Sequence, residues 1–299
     1  MKVLIVGGGP AAISTAIWVK KLGVPFDWVG ADFGGTLTRV HNPIEDFPPT
    51  RWQDGPTLNE SFHRFARDAG LSMEIFHIDE LWQTPEGWRV ESPQSSIEYE
   101  AVVLGTGAMP KQWSVEGHHD VADLIRLSSS KDPAEFRGKR VAVIGGGDGA
   151  LEAALRLSKH CEHVDIFVRN KLSARRSYLE AVADSERIEI HLETPISLAE
   201  RRKTGCHLSA DHGRAWDVSA IYLKLGIRAN LPKINPTLAM DGSGYVKVDA
   251  KKQTSRPRLY AVGDVISCDI RSVSNAMADG VVCARALADI YESMRLRTR

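Results

Sequence analysis

Val3-Leu4-Ile5-Val6-Gly7-Gly8-Gly9-Pro10-Ala11-Ala12-Ile13-Ser14-Thr15-Ala16-Ile17-Trp18-Val19-Lys20-Lys21-Leu22-Gly23 is the stretch that decides the architecture. Four consecutive aliphatics before a glycine predict a strand buried on both faces, as in a parallel sheet. Ala12, Ile13, Ala16, Ile17 and Val19 then repeat at helical spacing, Lys20 and Lys21 suit the negative end of a helix dipole, and Gly23 supplies a stop. Between strand and helix lies Gly7-x-Gly9-x-x-Ala12, a dinucleotide fingerprint with alanine at its last position. Gly7 permits the tight turn, Gly9 lets a pyrophosphate approach the backbone, and Ala12 lets the helix pack close to the sheet. The free N–H groups at the helix start then face the phosphates.

The pattern recurs. Arg140-Val141-Ala142-Val143-Ile144-Gly145-Gly146-Gly147-Asp148-Gly149-Ala150-Leu151-Glu152 repeats strand, Gly-x-Gly-x-x-Ala and helix, with Leu151, Ala154, Leu155 and Leu157 on the apolar face. Two copies of pattern and context predict two dinucleotide sites in one chain of 299 residues, and hence two domains large enough to bury their own cores.

Further landmarks fall between these turns. Pro25 to Gly30 predicts a second strand, with Asp32 beyond its end placed to accept hydrogen bonds from an adenosine ribose. Gly34-Gly35-Thr36-Leu37 follows, then Asn42-Pro43-Ile44-Glu45-Asp46-Phe47-Pro48-Pro49, which is rigid and non-helical. Tyr99 to Leu104 predicts another buried strand, ending in Gly105-Thr106-Gly107-Ala108, and Arg258 to Val262 one that ends in Gly263-Asp264. Val273, Met277, Val281, Ala284, Leu287, Ala288 and Tyr291 are spaced as the apolar face of a final helix, on which Cys283 is expected to pack.

Composition narrows the function classes. The 38 basic and 38 acidic side chains cancel, so bulk attraction to nucleic acid or an anionic membrane is not the main business of this chain. No apolar run approaches the roughly 18 residues of a spanning helix. Met1 leads directly into the first strand, so the expectation is a cytosolic protein without a cleavable leader. The four cysteines, Cys161, Cys206, Cys268 and Cys283, include no pair two residues apart, which leaves no close-pair zinc site, no Cys-x-x-Cys loop and no expected metal. Seven tryptophans, Trp28 and Trp52 among them, are expected to serve packing.

Taken in order, Gly7 to Ala11, Gly34 to Leu37, Glu45-Asp46-Phe47-Pro48, Gly105 to Ala108, Gly145 to Asp148 and Gly263-Asp264-Val265 resemble the low-molecular-weight thioredoxin reductase family of flavoproteins over essentially the whole chain. The resemblance implies an α/β fold with two Rossmann-like, three-layer dinucleotide-binding domains. The FAD domain would be discontinuous, 1–111 plus 237–299, around a nicotinamide-nucleotide domain at 112–236. It implies FAD on Gly7, Gly9, Pro10, Ala11, Ala12, Asp32, Gly35, Thr36, Leu37, Asp46, Thr106, Gly107, Ala108, Gly263, Asp264, Ser272 and Val273. It implies NADPH or NADH on Gly145, Gly147, Asp148, Gly149, Ala150, Glu152, Arg169, Arg175 and Gly226, and a homodimer.

The departures steer the function. Where thioredoxin reductases carry Cys-x-x-Cys-Asp, this chain has Ser128-Ser129-Ser130-Lys131-Asp132, which cannot shuttle a disulfide. The stretch Asp132 to Val141 is similar instead to thioredoxin-reductase-type ferredoxin–NADP reductases. Those carry an extended C-terminal segment, however, whereas this chain stops at Arg299 and its Arg271-Ser272-Val273, Ala276 and Gly280 resemble a thioredoxin reductase ending. A bacillithiol-disulfide-reductase likeness needs a cysteine where Ala11 stands. NADPH-specific relatives place His-Arg-Arg and a further arginine after the second strand of the nucleotide domain. Here Val164 to Phe167 leads to Val168-Arg169-Asn170-Lys171, with Arg175 and Arg176 displaced. The chemistry is expected at the flavin, with electrons leaving to a small redox protein such as ferredoxin or flavodoxin. Asp132 and Cys268 are the remaining catalytic candidates, Cys268 as a lone thiol for a thiol or disulfide substrate. The reading from another class is a flavin-binding module whose nicotinamide site is degraded.

Overall fold

The computed structural model describes residues 1–48, 53–93, 95–131 and 133–297. Trp52, Pro49 and the candidate Asp132 lie outside them. The chain divides into a unit made of Met1–Met109 and Arg228–Arg299 and a unit made of Pro110–Ile227.

In the first unit five strands form a parallel sheet in the order Leu259–Ala261, Ala101–Leu104, Val3–Val6, Phe26–Gly30 and Glu74–Ile75. Period-two alternation assigns the faces. Val3 and Ile5 turn toward helix Pro10–Lys21 and the 25-residue helix Val273–Arg297. Leu4 and Val6 turn the other way, into a core with Leu81, Trp88 and Val90. That second layer is a four-stranded sheet, Lys233–Asn235, Glu80–Gln83, Trp88–Glu91 and Ser96–Tyr99. The predicted strand from Tyr99 to Leu104 is therefore two strands broken at Glu100, because Tyr99 belongs to the second sheet. The first helix ends as its sequence predicts: Leu22 caps it and Gly23 follows at φ +70°.

The second unit repeats the plan. Ile188–His191, His163–Phe167, Arg140–Ile144, Ile221–Leu223 and Ile125–Arg126 form a parallel sheet in that order. Val141 and Val143 pack on helix Asp148–Leu157, while Ala142 and Ile144 face an antiparallel meander, Ile196–Arg202, Gly205–Ala210 and Ala215–Val218. Sequence places the second boundary at 236, whereas the structure divides the chain after Ile227. Residues 228–236 pack with the first unit because Lys233–Asn235 adds in parallel to Glu80–Gln83 and buries Ile234 in its core. The first crossing falls after Met109 rather than after residue 111.

Candidate functional site

Each glycine of the first turn has a separate task. Gly7 sits at φ +124°, and a Cβ there would lie 2.2 Å from the Gly105 carbonyl oxygen. A Cβ on Gly8 would lie 1.8 Å from the Asp32 oxygen, and Gly8 O in turn accepts the Gly34 N–H at 2.7 Å. Both glycines are spent on bringing the backbone of the turn against neighbouring strand ends. Gly9 differs: a Cβ there meets nothing within 4 Å among the described residues. It N-caps the first helix with no side-chain cap, so the first-turn N–H groups keep free donors beside open space. Ala12 is fully buried behind the turn, where a Cβ on Gly105 would lie 2.9 Å from its methyl.

That open space is a cavity of about 600 Å³ whose described lining residues all belong to the first unit. Its wall includes Gly7, Gly9, Pro10, Ala11, Asp32, Gly35, Thr36, Leu37, Asp46, Thr106, Gly107, Ala108, Asp264, Ser272 and Val273. Two expected residues stand behind the wall instead. Ala12 seats the helix, and Gly263, at φ +74°, brings its chain within 2.7 Å of the Ala11 methyl as measured from an added Cβ. Asp32 and Asp46 are exposed at the margin, whereas Asp264 is half-buried. Burial pushes the Asp264 carboxyl above the usual carboxylate range; Arg271 draws it back and Asp279 adds to the rise.

The cavity also carries residues that local sequence reading misses. Asn230 donates its Nδ2 to Thr106 O at 3.3 Å and its N–H to Gly107 O at 3.0 Å, pinning the Thr106-Gly107 turn. Lys233 lines the mouth with its ammonium 2.6 Å from Glu80. Arg271 stacks its guanidinium 4.1 Å from the Tyr245 ring centroid. The Arg271 Nε and the Thr106 Oγ1 are both buried and have no hydrogen-bond partner among the described residues. Such atoms are costly unless something pairs with them. An open anion cradle, two orphaned polar atoms and a carboxyl on the wall fit a phosphate-bearing, hydroxyl-rich, flat ligand, which is the chemistry of a flavin dinucleotide.

The Pro110–Ile227 unit holds the second turn. Gly145, at φ +145°, would place a Cβ 2.3 Å from Lys224 O, so its packing role matches that of Gly7. Gly147 N-caps helix Asp148–Leu157 without a side-chain cap, Gly149 faces open space, and Ala150 is buried against the sheet. Asp148 is bonded to Arg175, Glu152 pairs with Arg156 at 3.1 Å, Arg169 is exposed, and Gly226 is exposed at φ +82°.

On the meander side of this sheet, the donor atoms of His163, Asp165 and Glu189 lie within 4.8 Å of one another. Asp165 is fully buried, accepts Arg140 Nε at 2.5 Å and Nη2 at 2.7 Å, and lies 2.8 Å from His191 Nε2. Its oxygens are thereby committed within the protein. Of the cysteines, Cys161, Cys206 and Cys283 are buried and Cys268 is half-buried; none is disulfide-bonded. Burial pushes the Cys268 thiol up, with Arg271 as the opposing influence. Ser128 and Ser130, in the segment where a dithiol would stand, bond to each other at 3.0 Å. No helix among the described residues is long and apolar enough to cross a membrane.

Comparison with known proteins agrees with this geometry. The family described as pyridine nucleotide-disulphide oxidoreductase matches residues 1–280. An alkyl hydroperoxide reductase component of Pseudomonas putida is 27% identical over 300 residues, covering 96% of this chain and 57% of the relative. The NADPH-dependent thioredoxin reductase 3 of Arabidopsis thaliana is 26% identical over 303 residues, covering 94% and 56%. The chain thus spans a little over half the length of these curated relatives. Among solved structures, the thioredoxin reductase of Lactococcus lactis superposes with a TM-score of 0.81 at 21% identity, covering 95% of this chain and 97% of that one. That of T. acidophilum reaches 0.78 at 23%, covering 97% and 98%. At such identities the likeness is one of fold.

Proposed function

The chain belongs to the pyridine nucleotide-disulphide oxidoreductase family, and from that premise we propose that it is an FAD-dependent NAD(P)H oxidoreductase delivering electrons to a small redox protein of the ferredoxin or flavodoxin kind. The observation that carries this reading is an open dinucleotide cavity beside a first glycine-rich turn, in a chain that repeats the turn and whose one cysteine that is not buried, Cys268, stands alone. Bound FAD supplies hydride acceptance from a nicotinamide and stepwise electron release, chemistry that side chains do not provide.

The residues of this chain bind and orient. The N–H groups after Gly9 take up a pyrophosphate. In this reading Thr106 Oγ1 and the Asp264 carboxyl, both on the cavity wall, would take hydroxyl groups, and Asp32 at the exposed margin would take a ribose. Leu37, Ile44 and Val262 give the cavity apolar walls that exclude water. In the other unit the turn Gly145 to Asp148 offers the same kind of cradle to the nicotinamide nucleotide, with Arg169 exposed after the second strand. A thiol route through Cys268 runs against a sulfur whose burial favours the protonated thiol over the nucleophilic thiolate.

Anaerobic stopped-flow mixing of the FAD-loaded protein with NADPH and with NADH tests the first half. Bleaching of the flavin band is expected, and a band unchanged by either nucleotide would sink the reading. Reoxidation by ferredoxin or flavodoxin faster than by oxidised thioredoxin is expected for the second half, and the reverse order would overturn the choice of acceptor.

A further inference from the structure

Four cationic side chains follow the second strand of the Pro110–Ile227 unit: Arg169, Lys171, Arg175 and Arg176. Two of them are already engaged. Arg176 Nε lies 2.7 Å from Glu180 Oε1 on its own helix. Arg175 is held twice by Asp148, whose Oδ1 accepts its backbone N–H at 2.7 Å and whose Oδ2 accepts its Nε at 2.6 Å. Arg169 and Lys171 are exposed and make no hydrogen bond or ion pair among the described residues.

Asp148 occupies a consequential position. It is the first residue of the helix after the glycine-rich turn, and its carboxylate reaches the loop that follows the second strand. Ser173 donates its N–H to Gly146 O at 2.8 Å, so turn and loop are fastened together at two points. The backbone bond fixes the carboxylate in place whether or not the arginine side chain stays. Those donated bonds also hold the Asp148 carboxyl below its ordinary range, the backbone N–H of Arg175 foremost.

We propose that Asp148 is a specificity-determining residue for the nicotinamide nucleotide: by holding Arg175 against the glycine-rich turn, it withholds that cation from an adenosine 2′-phosphate and narrows the preference for NADPH over NADH. The inference rests on this unit being the nicotinamide-nucleotide site. NADPH differs from NADH only by the 2′-phosphate, so the ratio of affinities reports the cations free to meet that group. An arginine already paired with a fixed carboxylate must leave one anion to serve another, and its gain from the phosphate shrinks accordingly. Arg169 and Lys171 remain to give a modest preference.

The test is a calorimetric titration of the FAD-loaded chain with NADP⁺ and with NAD⁺. Asp148→Asn retains an acceptor for the Arg175 N–H, so the loop stays fastened while the charge is removed; circular dichroism checks the fold. The NADP⁺ to NAD⁺ affinity ratio is expected to rise by about fivefold, the size of a partly exposed charge-assisted contact. In the double variant Asp148→Asn with Arg175→Gln it is expected to fall back to the parental value. A ratio unmoved by Asp148→Asn, or a gain that survives the loss of Arg175, would overturn the proposal while leaving the nucleotide site intact. A parental chain that binds neither dinucleotide would overturn the site assignment and the proposal together.

Discussion

A single added methyl group separates the two jobs of the first glycine-rich turn. At Gly7 the backbone has φ +124°, and the new Cβ would stand 2.2 Å from a carbonyl oxygen of the Gly105 strand end. The conformation costs about 1–3 kcal/mol for an L-residue and the overlap about as much again, so Gly7→Ala loses about 2–6 kcal/mol of stability. At Gly9 the backbone is extended, φ −82° and ψ 176°, and nothing among the described residues lies within 4 Å of the added carbon. Alanine is the poorer N-cap by about 0.5–1 kcal/mol, and its stiffer unfolded chain returns about 0.4–1 kcal/mol, so Gly9→Ala leaves stability nearly unchanged. Its methyl group instead stands at the cavity wall where the backbone donors must be approached. Losing one charge-assisted hydrogen bond of about 1.5–3 kcal/mol weakens the binding of FAD by at least about tenfold. Urea titration followed by circular dichroism measures the first effect, and fluorescence titration of the flavin-free protein with FAD measures the second. The reasoning fails if Gly9→Ala binds FAD as tightly as the parent, or if Gly7→Ala unfolds at the parental urea concentration.

Thr106→Val removes an unpaired buried hydroxyl, so stability should hold or rise slightly while FAD affinity falls; unchanged affinity would remove Thr106 from the site. Asp165→Asn strips a fully buried carboxylate from Arg140 and His191 and should cost about 2–4 kcal/mol in urea unfolding. Although burial alone pushes its pKa up, the bonds from Arg140 and His191 hold Asp165 below its ordinary value. Its stabilisation is therefore complete above the unfolded carboxylate pKa of about 4 and is lost as pH falls through the lower folded one. The parent should thus lose more stability than Asp165→Asn in that acid window, and parallel profiles would contradict the assignment. Cys268→Ser should leave turnover with ferredoxin and flavodoxin as it was; a collapse with every acceptor would bring the thiol route back.

What the sequence made legible follows from where the backbone is forced. Gly7 and Gly145 must occupy positive-φ positions pressed against neighbouring carbonyls, so no other residue type stands there and the pattern is visible at a distance. The buried strands before them are equally plain, because a parallel strand covered on both faces leaves no room for a polar residue in Val3–Val6 or Val141–Ile144. Residues delivered by tertiary contact left no such trace. Asn230 reaches Thr106 only because the strand Lys233–Asn235 joins a sheet begun at Glu80, and nothing in its neighbours announces that pairing. The same fact displaced the domain boundary from 236 to 227. Arg271 adjoins Ser272 and Val273 in the chain, yet its stacking on Tyr245 depends on a segment of distant sequence position.

The Pro110–Ile227 unit carries this distinction furthest. Sequence reading expects Asp148 and Arg175 to contribute separately to one site, the first by its place after a glycine turn and the second by its charge. Folding joins them to each other, and a cation counted from sequence as available to a ligand is partly neutralised by the chain itself. Charge in a binding loop is therefore a property of pairs rather than of residues. Arg169, whose side chain is exposed and unbonded among the described residues, stays uncommitted, whereas Arg175 and Arg176 downstream are each paired with a carboxylate.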